Sequence, residues 1–242
     1  MPVNKVVQSF DKAIADIGDG ASIMVSGAQG PLGVPRNLLL ALRRKGVHNL
    51  TLITATGYRS VSAARFYGFP HAEDWIDHGI LIDNHQVSKV ICAMAYVPGR
   101  DSILQKQYEA GEVELEHLGH GPFIIRMWAG AAGLGGVYQP VGIGTILEQD
   151  KEKRVIDGRE YLLEMPLTAD FALVGADKAD SYGNLVYKGT GRQYGPIMAK
   201  AARVTIAEVD EVVEPGGLAP ESIVTPGIYV QKVVRAPPEV CK

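Results

Sequence analysis

Residues 22–42 read SIMVSGAQGPLGVPRNLLLAL. Ile23, Met24 and Val25 form a short apolar run of the kind buried in a strand, and Leu38, Leu39, Leu40, Ala41 and Leu42 open a helix. Between them, residues 26–35 hold three glycines and two prolines. A strand, a glycine-rich connection and a helix in immediate succession begin an α/β unit. In open sheets of that kind, ligands bind beyond the carboxyl ends of the strands, in the strand-to-helix loops. The connection is therefore either a tight turn or a backbone surface that a ligand approaches closely. Gly27, Gly30 and Gly33 recur every third residue, which departs from the G-x-G-x-x-G dinucleotide fingerprint. Pro31 and Pro35 also withdraw two backbone donors that a pyrophosphate would use. A substrate platform and a bare turn remain ahead of a dinucleotide site.

The rest of the chain repeats the alternation. A helix is expected over residues 4–17, from Val6, Val7, Phe10, Ala13, Ile14 and Ile17 on one face. Strands are expected at Ser22–Val25, Leu50–Ile53, Val87–Ala95, Val113–Glu116, Phe171–Val174 and Val204–Val209, with helices over 36–45, 101–110 and 192–202. Val224–Val230 reads as a late extended segment. Residues 154–163 spell a β-hairpin around Asp157-Gly158, a pair that supplies the positive φ such turns need. Residues 119–144 contain eight glycines and read as an ordered loop system around a short helix, Phe123–Ala129. The fold expected is an open, largely parallel α/β sheet flanked by helices: one domain over 1–235, then a loose tail over 236–242.

Composition excludes several functions. The 242 residues carry 24 Lys and Arg against 27 Asp and Glu, a net charge of −3, so neither nucleic acid nor an anionic membrane is an expected partner. The amino terminus lacks the basic-then-apolar layout of a secretory signal, and a reducing cytoplasm is expected. Cys92 and Cys241 form no CxxC spacing, so no zinc site or disulfide is expected. His71, Asp74, Asp77 and His78 could share a helical face as metal ligands do, but read better as a solvated polar turn. His120 gains interest from its glycine-rich surroundings. G-x-S-x-G and P-loop motifs are absent from the sequence.

Six blocks in order then carry a likeness: DGASIMVSGAQGPLGVPRNLL (19–39), QYEAGEVELE (107–116), AGAAGL (129–134), ADFALVGADKADSYGNLVYKGT (169–190), ARVTIAEVDEVVEPGG (202–217) and TPGIYV (225–230). The chain resembles the alpha (A) subunit of family I CoA-transferases, the succinyl-CoA:3-oxoacid group, over about residues 10–233. The first block resembles the signature D-G-x-x-I-M-V-G-G-F-x-x-x-G-x-P-E-x-L, with a loop to Pro35 one residue longer. The resemblance implies ping-pong transfer of CoA between carboxylic acids through a glutamyl-CoA thioester. The nucleophilic glutamate of such enzymes lies in a Ser-Glu-Asn-Gly motif of the beta (B) subunit, and no glutamate here is followed by asparagine. The chain then needs a separate B subunit, in an α2β2 assembly. It holds no tight cofactor and takes CoA and acyl-CoA as substrates. By the same resemblance Gly27, Ala28, Gln29, Gly30 and Gly33, with a second loop Gly130, Ala131, Ala132 and Gly133, form the platform for the thioester and the pantetheine arm.

Several positions depart from the pattern. Ser26-Gly27-Ala28 replaces Gly-Gly-Phe, Arg36 replaces a glutamate, and the usual Asn-Asn pair falls near Ala55-Thr56. Residues 58–78 are longer than the family segment, and His120 aligns with the glutamine that helps form the oxyanion hole. An altered acyl pocket follows. It keeps open a CoA-ester or cyclic-dione hydrolase on the same scaffold and, from another class, a non-enzymatic metabolite-binding protein.

Overall fold

A computed structural model describes residues 3–27, 32–57, 75–96 and 102–238. In chain order the described strands are β1 (Ser22–Val25), β2 (Leu50–Thr56), β3 (Val87–Met94), β4 (Glu114–His117), β5 (Val137–Gln139), β6 (Lys153–Ile156), β7 (Arg159–Glu164), β8 (Ala169–Asp180), β9 (Leu185–Val186), β10 (Ala202–Val213) and β11 (Lys232–Arg235). The helices are α1 (Phe10–Ala13), α2 (Arg36–Lys45), α3 (Gly79–Asp83), α4 (Ile103–Glu109), α5 (His120–Ala132) and α6 (Gly195–Ala201). The main sheet runs β11-β10-β8-β1-β2-β3-β4, all parallel, with β9 antiparallel on β8. The expected open, largely parallel sheet is therefore found. β5, β7 and β6 form a separate antiparallel sheet.

Both faces of the main sheet are covered, which explains why its strands read as apolar runs. Ile23 and Val25 point to a cluster with Leu38, Leu39 and Leu42 of α2 and Leu81 of α3. Met24 points to the other face, with Phe123 and Met127 of α5 and Ile197 and Met198 of α6. From β1 the chain builds outward on one side through β2, β3 and β4, then returns to add β8 on the other. The strand order thus reverses between β1 and β8, the place where open sheets leave a crevice at their carboxyl ends.

Four local expectations need correction. Residues 4–17 are not one helix: Val6 bridges Val233 in parallel, with Val7 N–H donating to Val233 O at 2.8 Å. Helix α1 starts only at Phe10, where Ser9 Oγ accepts the Lys12 N–H. The glycine-rich stretch is not a loop around a short helix, because α5 runs 13 residues to a left-handed cap at Gly133 (φ 67°). Gly130 costs helix propensity, but a Cβ there would stand 2.5 Å from Leu167 O, so close packing requires it. Val224–Val230 contains a 3-10 turn at Gly227–Tyr229, and the late strand is β11 instead. In the expected loose tail, Ala236 is buried and its N–H donates to Val209 O; residues 239–242 lie outside the described residues. The hairpin is as expected, with positive φ at both Asp157 (49°) and Gly158 (77°). Among the described residues no helix is long and apolar enough to cross a membrane.

Candidate active site

The loop after β1 enters the crevice between β1 and β8. Ser26 is buried; its Oγ donates to Gly33 O at 2.6 Å and accepts the Gly175 N–H at 2.9 Å. One hydroxyl thus closes the loop on itself and ties it to β8. Gly27 has φ 87°, and a Cβ there would lie 2.4 Å from Val34 Cγ2. A Cβ on Gly175 would lie 2.6 Å from the Gly33 carbonyl carbon, and one on Gly33 would lie 2.7 Å from Gly191 O. Three backbone segments cross here in contact, which only glycines allow. Packing alone therefore accounts for Gly27 and Gly33. Ala28, Gln29 and Gly30, the rest of the expected platform, lie outside the described residues.

The start of α2 is held from a distance. Its N-cap, Pro35, offers no side-chain cap. The Glu208 carboxylate of β10 replaces one, accepting from Leu38 N (2.9 Å), Asn37 N (3.2 Å) and Asn37 Nδ2 (2.7 Å). Burial pushes the Glu208 carboxyl up, against the pull of these hydrogen bonds. Arg36, the departure from glutamate, is buried with its guanidinium 4.6 Å over the Trp75 ring. A cation in the first turn opposes the helix dipole, and the Glu208 carboxylate offsets it.

Near Thr54 of β2, the described residues of the expected solvated polar turn are instead buried. Asp77 and His78 are each only 1% exposed. Asp77 Oδ1 accepts the Gly79 N–H at 2.9 Å, and His78 Nδ1 lies 3.5 Å from Thr54 Oγ1. Burial pulls the His78 imidazole below its usual range, which keeps it neutral. His71 and Asp74 lie outside the described residues, and the described ones contain no cluster of three or more metal-ligating side chains. Cys92 is buried, and desolvation pushes its thiol up to about 12, so it is inert.

The third element of the site is the start of α5. That helix follows β4 directly, so His120, its first residue, stands at the carboxyl end of the sheet and is exposed. The N-cap Gly119 provides no side-chain cap, and Pro122 has no N–H. The N–H groups of His120 and Gly121 head the helix at its positive end. α6 leads into β10, so its N-cap Tyr194 stands at the same end and on the same face. The Tyr194 ring meets Phe123 edge-on at 5.9 Å, one turn beyond His120, and burial pushes its hydroxyl up. The residues before Tyr194 include Gly191, in contact with Gly33. His120, Tyr194 and the Gly33 crossing are thereby brought to one rim.

Gly130, Ala131, Ala132 and Gly133 are not part of that rim. They are the last turn and cap of α5, and Gly130 lies ten residues from His120, about 15 Å along the axis at 1.5 Å per residue. The sequence reading also missed Gly175, Gly191 and Tyr194. Their meaning comes from contacts with residues more than 70 positions away, which no local pattern announces.

Residues 7–236 match the coenzyme A transferase family. The A subunit of 3-oxoadipate CoA-transferase from Pseudomonas putida is 42% identical over 233 residues, 96% of this chain and 94% of that one. The A subunit of a probable succinyl-CoA:3-ketoacid coenzyme A transferase from Bacillus subtilis is 39% identical over 232 residues, 96% of this chain and 90% of that one. Among solved structures, an acyl-CoA transferase from Escherichia coli O157:H7, in a thioester complex with CoA, superposes with a TM-score of 0.81 at 21% identity. That likeness concerns the fold, and covers 98% of this chain and 48% of the other. With a family match along nearly its whole length and close relatives of matching size, the chain belongs to the coenzyme A transferase family.

Proposed function

We propose that this chain is the A subunit of a two-subunit enzyme that moves CoA between carboxylic acids of the 3-oxo type. The observation that carries this is the near-full-length match to A subunits named for 3-oxoadipate and 3-ketoacid transfer. The hydrolase and the non-enzymatic alternatives have no comparable support.

The reaction requires two parts. A glutamate carboxylate of the B subunit attacks the thioester carbonyl carbon. The C–S bond breaks, CoA leaves as thiolate, and a mixed anhydride forms. The thiolate then attacks the glutamyl carbonyl and expels the first acid as its carboxylate, leaving glutamyl-CoA. The acceptor acid reverses both steps. Each attack puts negative charge on a carbonyl oxygen, and pre-set donors at that oxygen lower the barrier. In this chain His120 is the donor, standing at the head of α5, where the helix dipole favours the same charge. Gly27 and Gly33 keep the backbone close at the carboxyl end of β1. Residues 1–235 act as one unit in an α2β2 assembly of the cytoplasm, with CoA and acyl-CoA as substrates and no tightly bound cofactor.

The test is exchange of CoA between succinyl-CoA and a panel of 3-oxo acids, with this chain alone, a B-type chain alone, and the two produced together. Exchange by the pair only is expected. Robust turnover by this chain alone, or hydrolysis without exchange by the pair, contradicts the proposal.

A further inference from the structure

Beside His120 lies a side chain that this mechanism does not use. Gln139, the last residue of β5, is nine-tenths buried. Its Nε2 is shut off from solvent and has no hydrogen-bond partner among the described residues. Its Oε1 lies 3.8 Å from where a Cβ on Gly121 would stand, and Val141, two residues on, reaches within 3.7 Å of the same position on both Gly119 and Gly121. The segment 139–141 therefore lies along the first turn of α5 and flanks His120 at both neighbours.

A buried amide N–H without a partner is unusual, because buried polar groups are nearly always hydrogen-bonded. Leaving one free costs stability, and an apolar residue of the same shape avoids that cost. The amide torsion is broad and two-fold, so its N–H and C=O ends exchange places within one volume. In the exchanged orientation Nε2 occupies the side that faces Gly121.

We propose that Gln139 is a further catalytic residue of this site, whose carboxamide N–H donates to the acyl oxygen alongside His120. The inference rests on the transferase reading above. It gives the oxyanion two donors of different kinds from this chain, an imidazole and a carboxamide, and the carboxamide donates at every pH.

Gln139→Leu, made in the complex with the B subunit, tests it. Removing one oxyanion donor costs about a hundredfold in kcat, and kcat/KM falls equally when the interaction is made only in the transition state. The thermal midpoint is expected to hold or rise, because a free buried amide has been replaced by an apolar group. Gln139→Met, unbranched and of similar length, repeats the measurement with a shape closer to glutamine. A kcat within twofold of wild type in both variants overturns the proposal. So does a midpoint that falls in step with activity in both, since that marks a packing role. If the wild-type complex exchanges no CoA at all, the transferase reading fails first and takes this one with it.

Discussion

At the loop after β1, Ser26 ties Gly33 to Gly175, and Gly33, Gly175 and Gly191 meet backbone to backbone. At the start of α5, Gly119 gives no side-chain cap, His120 is exposed, and the Gln139 Nε2 beside it has no partner among the described residues. Both regions are rich in glycine and both stand at the carboxyl end of the sheet. In the first, the Ser26 hydroxyl is satisfied within the chain, and the glycines serve close packing. In the second, the Gln139 Nε2 is left over, and a buried donor without a partner calls for an explanation. Glycine content alone does not separate a scaffold from a site.

The largest loss of stability should come from breaking the scaffold. Gly175→Val would drive side-chain atoms into the Gly33 backbone, which cannot retreat because Gly191 lies behind it. Overpacking of this kind costs about 3 kcal/mol, and urea unfolding of the complex should show it, with activity lost only in proportion to folded protein. An unchanged midpoint would mean that the crossing is loose. Gly27→Val combines a 2.4 Å clash with Val34 and a positive φ that valine rarely adopts. The strain is worth about 1–3 kcal/mol, and kcat/KM should fall with it.

At the site, the opposite signature is expected. His120→Ala should cost about 2.7–4 kcal/mol in kcat/KM, as other oxyanion donors do, with little change in the thermal midpoint because the side chain is exposed. His120→Gln restores a donor and should recover much of the activity. An alanine variant as active as wild type would move the site away from α5.

How far this division could be read in advance varies with the range of the contacts involved. β1, α2 and the Asp157-Gly158 hairpin were legible because strand runs, helical spacing and turn chemistry are local. The extent of α5 was hidden by Gly121, Gly130 and Gly133, residues that ordinarily interrupt helices; here Gly130 permits close approach and Gly133 caps the end. β11 was missed because Lys232–Arg235 pairs with β10 and, near its start, with Val6, more than 220 residues earlier. Gln139 carried no signal in its own neighbourhood, since its importance comes from an unmet hydrogen bond. His120 was singled out from its glycine-rich surroundings and then from the family alignment, and the structure adds its place at a helix start.

Smaller effects refine the contrast. Ser26→Ala removes the hydroxyl that serves both Gly33 and Gly175, leaving a buried N–H and C=O short of partners; about 1–3 kcal/mol of stability should go. Loss of activity without loss of stability would instead place Ser26 in the chemistry. The slightest effect belongs to His78. Its imidazole is held neutral by burial, below the ordinary value of 6.5, so in the window just under 6.5 the unfolded chain binds a proton that the folded chain refuses. Stability should therefore fall as pH drops through 6.5, and level off below the folded-state value. His78→Gln should flatten that slope in melts recorded from pH 7.5 to 5; identical slopes would mean that His78 is protonated in place.

The most direct measurement of the central claim is mass spectrometry of the B subunit after brief exposure to succinyl-CoA, with and without this chain. A CoA adduct on one B-subunit glutamate, released by hydroxylamine, formed when this chain is present and weakened by His120→Ala, is the predicted result. An adduct that forms equally well without this chain, or no adduct from a pair that still turns over, would contradict the account.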